Sequence, residues 1–424
     1  MIRAACLSLE ITPDQPIDLS GGPFGKSRGV LDPLEAYILL LEIEGECFCW
    51  MTVDTIYLSS SWTDPLREKI ARLLTTGRAN TMISATHTHS GAAFMPLRQW
   101  GSPDMCHTDW VSRRILDGVR DLQDRLQPVR GNFGSAQADG VTVNRREPGG
   151  PVDEEVSVLT LHNNNGQPIA MMVHFTCHPV TLWGFENKFS PDFPGYLRTA
   201  LRQVSGGIPV FFINGAAGNI NPVGFSPEST SVEYSKDIAR RVCSAARQAM
   251  LNSQPLNLSP LVTAEERETL LLDPPPSVET IHRIIEEADS HLNGDWSPES
   301  VGWARKKEWA MDLLAAIETG ELADRESLEI QSVRLGDLRI LALPGDPYVE
   351  IGLKMKEISP SPHTLIAGFT NGMVGYLCTR KWQEENGEQE KFIGYRLLSM
   401  PKETEKIVYR MTERLVERMR HETV

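Results

Sequence analysis

Short apolar runs bounded by turn residues alternate along the chain with stretches of helical spacing. Residues 37–44 and 48–53 read as two strands around a turn at Gly45. Residues 156–161 and 169–175 read as a second hairpin, turned at Asn164, Asn165 and Gly166. Residues 81–84 and 209–213 are short enough and apolar enough for buried strands, and the latter runs into a Gly/Ala/Asn loop at 214–222. Further strands are expected at 330–334, 339–343 and 364–369. Helical spacing predicts a helix over 65–74. It predicts another through Val111, Ile115, Leu116, Val119, Leu122 and Leu126, stopped by Pro128. A closing helix carries Ile407, Val408, Met411, Leu415 and Met419 on one face. This alternation predicts a mixed α/β protein, without internal repeats or heptads.

Composition shifts after about residue 254, where three consecutive prolines, Pro274, Pro275 and Pro276, precede two helices. Ile281, Ile284, Ile285, Ala288 and Leu292 form the apolar face of the first. Ser297 as N-cap with Pro298 at the first position opens the second. The region is acidic and carries Trp296, Trp303 and Trp309. Residues 269–326 are therefore expected as a helical hairpin inserted into one domain spanning 1–424, packed on the core rather than serving as a lid.

Charge narrows the function. Forty-two lysines and arginines against 56 aspartates and glutamates give a net charge of −14, a poor match to a phosphate backbone or an anionic membrane surface. No apolar stretch approaches the ~20 residues of a membrane helix. The N-terminus has no apolar core of a secretory signal. Seven scattered cysteines, with no Cys-x-x-Cys, predict reduced thiols and a cytoplasmic protein. Expected partners are a small-molecule substrate and, with no feature against it, further copies of the chain, but neither nucleic acid nor a membrane.

The residues fit for chemistry lie at strand ends. His87 and His89 stand in Ser84-Ala85-Thr86-His87-Thr88-His89-Ser90-Gly91, directly after a buried strand. Such a strand end is where active-site side chains project, and His-x-His lets one imidazole bind a metal while the other faces substrate. His178 ends the strand of His174-Phe175-Thr176-Cys177-His178-Pro179, whereas His174 reads as a packed strand residue. Asp346 follows an apolar strand in Leu343-Pro344-Gly345-Asp346-Pro347, either as a functional carboxylate or as the N-cap of the next helix. Tyr376 closes the loop Thr370-Asn371-Gly372-Met373-Val374-Gly375-Tyr376. Two histidines and a carboxylate are a common way to hold catalytic zinc with a position open for water.

The chain resembles the catalytic domain of the neutral/alkaline (non-lysosomal) ceramidase family, zinc-dependent amidases that cleave an N-acyl bond. The match runs through Ser20-Gly21-Gly22, Arg28-Gly29-Val30-Leu31-Asp32-Pro33-Leu34 and Val53-Asp54. It continues through the His87 segment, Asn144-Arg145, the His178 segment and Asp192-Phe193-Pro194-Gly195. Residues 214–222, 343–347 and 371–379 complete it. The resemblance implies a layered α/β/β/α domain with stacked mixed sheets and outer helices. It implies zinc held by His87, His178, Asp346 in place of a glutamate, and Tyr376, with His89 as the unligated imidazole beside the scissile bond. Asn221 falls where the family has its catalytic serine, so activated water is the expected nucleophile. The family's C-terminal β-sandwich has no counterpart in this sequence, which points away from ceramide.

The reaction expected is zinc-assisted hydrolysis of an amide in a small, polar N-acyl compound. His89 would move the proton, and Asn221, with Asn214 or the backbone amides from Gly215 to Gly218, would donate to the oxyanion. Asp54 is read either as orienting a ligand histidine or as a buried structural carboxylate. Arg28, Lys26 or Arg145 would meet an anionic group on the substrate. Ester or lactone hydrolysis, and a non-catalytic binding protein on the same fold, are the alternatives.

Overall fold

In the strand Glu35–Ile43, Ala36, Ile38 and Leu40 pack to one side while Tyr37, Leu39, Leu41 and Ile43 pack to the other. A strand apolar on both sides belongs in the middle of a layered structure, and the computed structural model places it there. The structure describes residues 1–22, 24–292, 297–386 and 394–421, so Trp296 lies outside the described residues.

The main sheet runs in the order Val210–Asn214, Pro168–Phe175, Glu155–Asn163, Gln127–Gln137, Ile2–Glu10, Glu35–Ile43, Glu46–Val53, Thr81–Ala85, with Gln254–Leu256 added beside Gln127–Gln137. Both edge pairs are parallel and the strands between them antiparallel. A second sheet orders Leu261–Leu271, Arg325–Leu335, Leu338–Ala342 and His363–Ala367. Trp50, Leu159 and Phe211 of the first sheet share an apolar cluster with Val333, Ile340 and Leu365 of the second. The outer face of the first sheet is covered by the helices Ser60–Leu74, Met105–Asp124, Phe193–Val204 and Val232–Leu251. Val349–Ile358 and Thr404–His421 cover the second. The layers are α/β/β/α, as expected.

Three long strands escaped the sequence pattern, each for a physical reason. Gln127–Gln137 carries Pro128, Gly131 and Gly134, all poor strand signals. Gly131 is there because a Cβ would lie 2.8 Å from Leu258 Cδ1. Ile2–Glu10 packs small residues, Ala4, Ala5 and Cys6, at the sheet centre. Leu261–Leu271 is an edge strand whose charges engage Arg67, Arg78, Arg410 and Arg414. Charged edges also guard a sheet against pairing with other chains.

The helices Val278–His291 and Pro298–Thr319 lie between Leu261–Leu271 and Arg325–Leu335, which pair along their whole length. Ser297 caps the second helix, accepting from Ser300 N at 3.0 Å. Ile281, Trp309 and Leu313 are buried against the second sheet's helical layer.

The feature that makes a site is the meeting of the main sheet's two edges. Asn214, on one edge, donates from Nδ2 to Thr86 O just beyond the other, at 3.3 Å, and to Cys177 O at 3.0 Å. Its Oδ1 accepts from Cys177 N at 3.2 Å. The end of the second sheet's last strand is stitched between them. Ala85 N donates to Phe369 O at 2.9 Å, and Gly368 N to Asn214 O at 3.0 Å. Asn214→Ala removes all three side-chain bonds and leaves buried backbone groups unpaired, so it is expected to cost about 2–4 kcal/mol. Urea unfolding of the variant beside wild type measures it.

Candidate functional site

His87 follows the strand Thr81–Ala85, His178 the strand Pro168–Phe175, and the stitching above brings them face to face. His87 takes a left-handed backbone (φ 70°), with its N–H on Thr55 O at 2.9 Å. Its ring stacks on Phe369, itself at φ 55°, with centroids 3.9 Å apart. Left-handed non-glycine residues are costly and collect at functional sites. The backbone of His178 is fixed by its N–H on Ile220 O at 2.9 Å.

Each imidazole is oriented by a backbone carbonyl. His87 Nδ1 lies 3.0 Å from Ile56 O, His178 Nδ1 2.6 Å from Ala217 O, and His89 Nδ1 3.0 Å from Gly21 O. A carbonyl only accepts, so each Nδ1 carries the proton and each Nε2 a lone pair. Gly21 makes its approach at φ 113°, and a Cβ there would sit 2.8 Å from His89 Cα.

The three lone pairs converge. His87 Nε2 and His178 Nε2 are 2.9 Å apart, and ligand atoms of His87, His89 and His178 all lie within 4.8 Å of one another. Asp346 Oδ2 is 3.8 Å from both His87 Nε2 and His178 Nε2. His89 Nε2 is buried with no hydrogen-bond partner among the described residues. Burial holds all three imidazoles below the usual histidine range, His89 at about 3, and the Arg145 guanidinium adds to the effect on each. Neutral nitrogens facing each other without a proton between them repel, unless a cation lies among them. Imidazole nitrogens, a carboxylate and phenol oxygens nearby make a donor set that fits a divalent metal ion. Backbone carbonyls on the far nitrogens are the outer support such ligands take.

Asp346 and Tyr376 are neighbours by backbone pairing, in a two-residue parallel bridge. Gly218 passes so close that a Cβ would lie 2.6 Å from Asp346 O. Tyr57 OH donates to Asp346 Oδ2 at 3.2 Å. Burial, then Asp346, push both Tyr57 and Tyr376 above the ordinary phenol range, so both hold their protons. Arg145 Nη2 donates to Gly218 O at 2.6 Å and to Tyr376 OH at 3.2 Å, and lies 3.4 Å from His178 Nε2. Its Nη1 donates to Asn221 Oδ1 at 3.4 Å.

No protein-family model matches the chain. It is 24% identical over 376 residues to the neutral ceramidase of Pseudomonas aeruginosa, across 73% of this chain and 55% of that protein. The chain thus spans about half the length of that curated relative. The crystal structure of neutral ceramidase from Pseudomonas aeruginosa superposes with a TM-score of 0.76 at 18% identity, over 99% of this chain and 75% of that one. A ceramidase complexed with C2 superposes with a TM-score of 0.77 at 16% identity, over the same shares. The chain has the neutral ceramidase fold. The fold that the resemblance implies is borne out over almost the whole length of the chain.

Within this ceramidase fold, the surroundings of several residues named from the sequence decide between the readings left open for them. Asp346 is not a helix cap, because Tyr348 holds that position before Val349–Ile358. Among the described residues Asp54 meets no imidazole. Its carboxylate takes both Arg198 nitrogens at 2.8 and 2.7 Å, Thr86 Oγ1 at 3.0 Å and Glu35 N at 2.8 Å. Both Nδ2 hydrogens of Asn214 are spent on the strand ends, so none remains for an oxyanion. The N–H groups of Gly215, Ala217 and Gly218 are likewise donated within the protein. Gly215 serves close packing, since a Cβ would crowd Thr176 and lie 3.2 Å from His174 Nε2. Arg28 is exposed, with its N–H on Asn187 O at 2.8 Å. His174 bridges the sheets, its Nε2 2.9 Å from Ile366 O. Sequence reasoning missed Tyr57, which follows a strand end as the named residues do, and Phe369, for which no local signal exists.

Proposed function

We propose that the chain is a zinc-dependent hydrolase that cleaves the amide bond of a small, polar N-acyl compound by attack of water. The observation that carries this is the convergence of three neutral imidazole Nε2 atoms beside Asp346. The likeness to neutral ceramidase supports an amide as the bond. His87, His178 and Asp346, with Tyr376 alongside, would hold the ion. A bound zinc would supply Lewis acidity and lower the pKa of water toward ~7.

The chain's own residues do the rest. His89 is neutral, with its Nε2 lone pair turned inward, so it can take a proton from the attacking water and return it to the leaving nitrogen. Asn221 gives its Oδ1 to Arg145, which leaves the Nδ2 hydrogens for the developing oxyanion. Tyr57 and Arg145 fix the carboxylate and phenol that frame the site.

His89→Gln is the test. The variant is expected to keep its metal and lose about 10²–10⁴-fold in kcat on an N-acyl panel, the range for a missing general base. Loss of the metal together with activity would make His89 a ligand and overturn its role as base. Turnover of esters with none of the matching amides would overturn the amide assignment.

A further inference from the structure

Two guanidinium groups near the centre of this acidic chain, Arg145 and Arg305, form no ion pair with a carboxylate among the described residues, although Asp346 and Glu308 act on them from a distance. Arg145 is half-buried, and its hydrogen bonds go to a carbonyl, a phenol, an amide and an imidazole. Among the described residues no carboxylate lies within ion-pair distance of it, and its Nε is buried without a hydrogen-bond partner. Arg305 comes from the inserted helix Pro298–Thr319 and lies 4.2 Å over the ring of Trp100. Trp100 in turn stands edge-on to His89, with 6.4 Å between ring centres. Arg305 donates from Nε to Arg98 O at 3.1 Å.

Carboxylates near Arg305 are engaged elsewhere. Glu308 accepts from Gln99 Nε2 and Asp312 from Arg98 Nε, both at 2.8 Å. Burial pulls the Arg305 guanidinium down to about 10, against smaller opposing pulls from Tyr376 and Glu308. Buried charges are normally paired, and unpaired ones in a cleft are a mark of ligand recognition. One carboxylate, Asp346, faces Arg145 across the centre. A divalent ion would leave that centre positive overall, inside a chain of net charge −14. Such focusing draws in anions and repels cations.

We propose that the substrate carries an oxyanion, a carboxylate or a phosphate, which Arg145 receives beside the scissile amide and Arg305 receives from the inserted helix. The insertion is then a determinant of specificity: its arginine reaches over Trp100 toward His89 and selects a charged N-acyl compound over a neutral one. The proposal rests on the amidase reading only for the bond that is cleaved.

Calorimetric binding to the metal-loaded protein tests it without turnover. N-acetylglycine is compared with its uncharged N-methylamide, and inorganic phosphate is titrated as a second anion. Wild type is expected to bind N-acetylglycine or phosphate at least about tenfold tighter than the methylamide, the scale of a charge-assisted hydrogen bond. The preference should fall to about twofold or less in Arg145→Gln, fall several-fold in Arg305→Gln, and partly return in Arg145→Lys. A stronger response to phosphate than to N-acetylglycine would make the group a phosphate. Equal binding of charged and uncharged probes, absence of binding by both anions, or a preference unchanged in both glutamine variants would overturn the proposal. The last result would place the anion on the metal alone. Anion binding without cleavage of any N-acyl compound would instead overturn the amidase and leave this site standing.

Discussion

His178→Ala and His87→Asn are expected to lose the metal. Wild type should carry about one zinc per chain by elemental analysis, and each variant less than about a tenth of that, since a site of this kind rarely survives with a ligand missing. Asparagine is the better choice at 87, because the residue sits at φ 70° and asparagine tolerates that backbone. The reason for so large an effect is the protonation pattern. Ile56 O and Ala217 O hold the protons on Nδ1, so the two Nε2 atoms face each other as lone pairs at 2.9 Å. Chelation should therefore destabilise wild type, by about 3–4 kcal/mol if zinc was present at several hundred times its Kd. It should leave His178→Ala almost unmoved, because that variant has no site to empty. Wild type without stoichiometric metal, even when supplied with zinc, would remove the basis for the hydrolase.

Asp54→Ala should destabilise the fold by about 3–5 kcal/mol, the cost of leaving a buried guanidinium without its carboxylate. Asp54 and Arg198 are fully buried and joined by two hydrogen bonds, with the Arg198 guanidinium 4.8 Å over the Tyr37 ring. Glu35 stands 3.7 Å from the same guanidinium, too far to replace both bonds. The double variant Asp54→Leu/Arg198→Met should recover much of the loss, because it removes the stranded charge together with its partner. Urea unfolding of the three proteins measures this. A cost under about 1 kcal/mol in the single variant would show that the pair is not sealed from water. Because Asp54 also holds Thr86 Oγ1, next to His87, the single variant should weaken metal retention as well.

Much of this arrangement could be read along the chain. The hairpins at 37–53 and 156–175 show as alternation bounded by turn residues, and the inserted helices as spacing behind a Ser-Pro cap. The strand-end positions of His87, His89, His178 and Asp346 show as apolar runs that stop at a polar loop. Helix starts were less legible. Met105–Asp124 begins at Asp104, whose Oδ1 accepts from His107 N at 2.8 Å, well before the apolar spacing becomes regular. The strand with Gly131 and Gly134 is not legible in the apolar pattern, because those glycines answer to neighbours distant in sequence.

The sequence by itself determined the mixed α/β class of the protein and which side chains stand at strand ends, since both follow from the local period of apolar residues and the chemistry of turns. It could not determine what those side chains do there. The two edges of the main sheet meet through Asn214 and through Phe369 and its neighbours, which the stacked second sheet sends between them. That closure puts His87 on His178. Which ring nitrogen bears a proton depends on carbonyls at Gly21, Ile56 and Ala217, each remote in sequence from its histidine. The same holds for Asn214, a loop residue in sequence and a clamp in space, and for Asp54, whose partner Arg198 lies on another layer. Local patterns encode the backbone's preferences, whereas lone pairs, charges and their partners are set by whichever groups tertiary packing brings within hydrogen-bond distance.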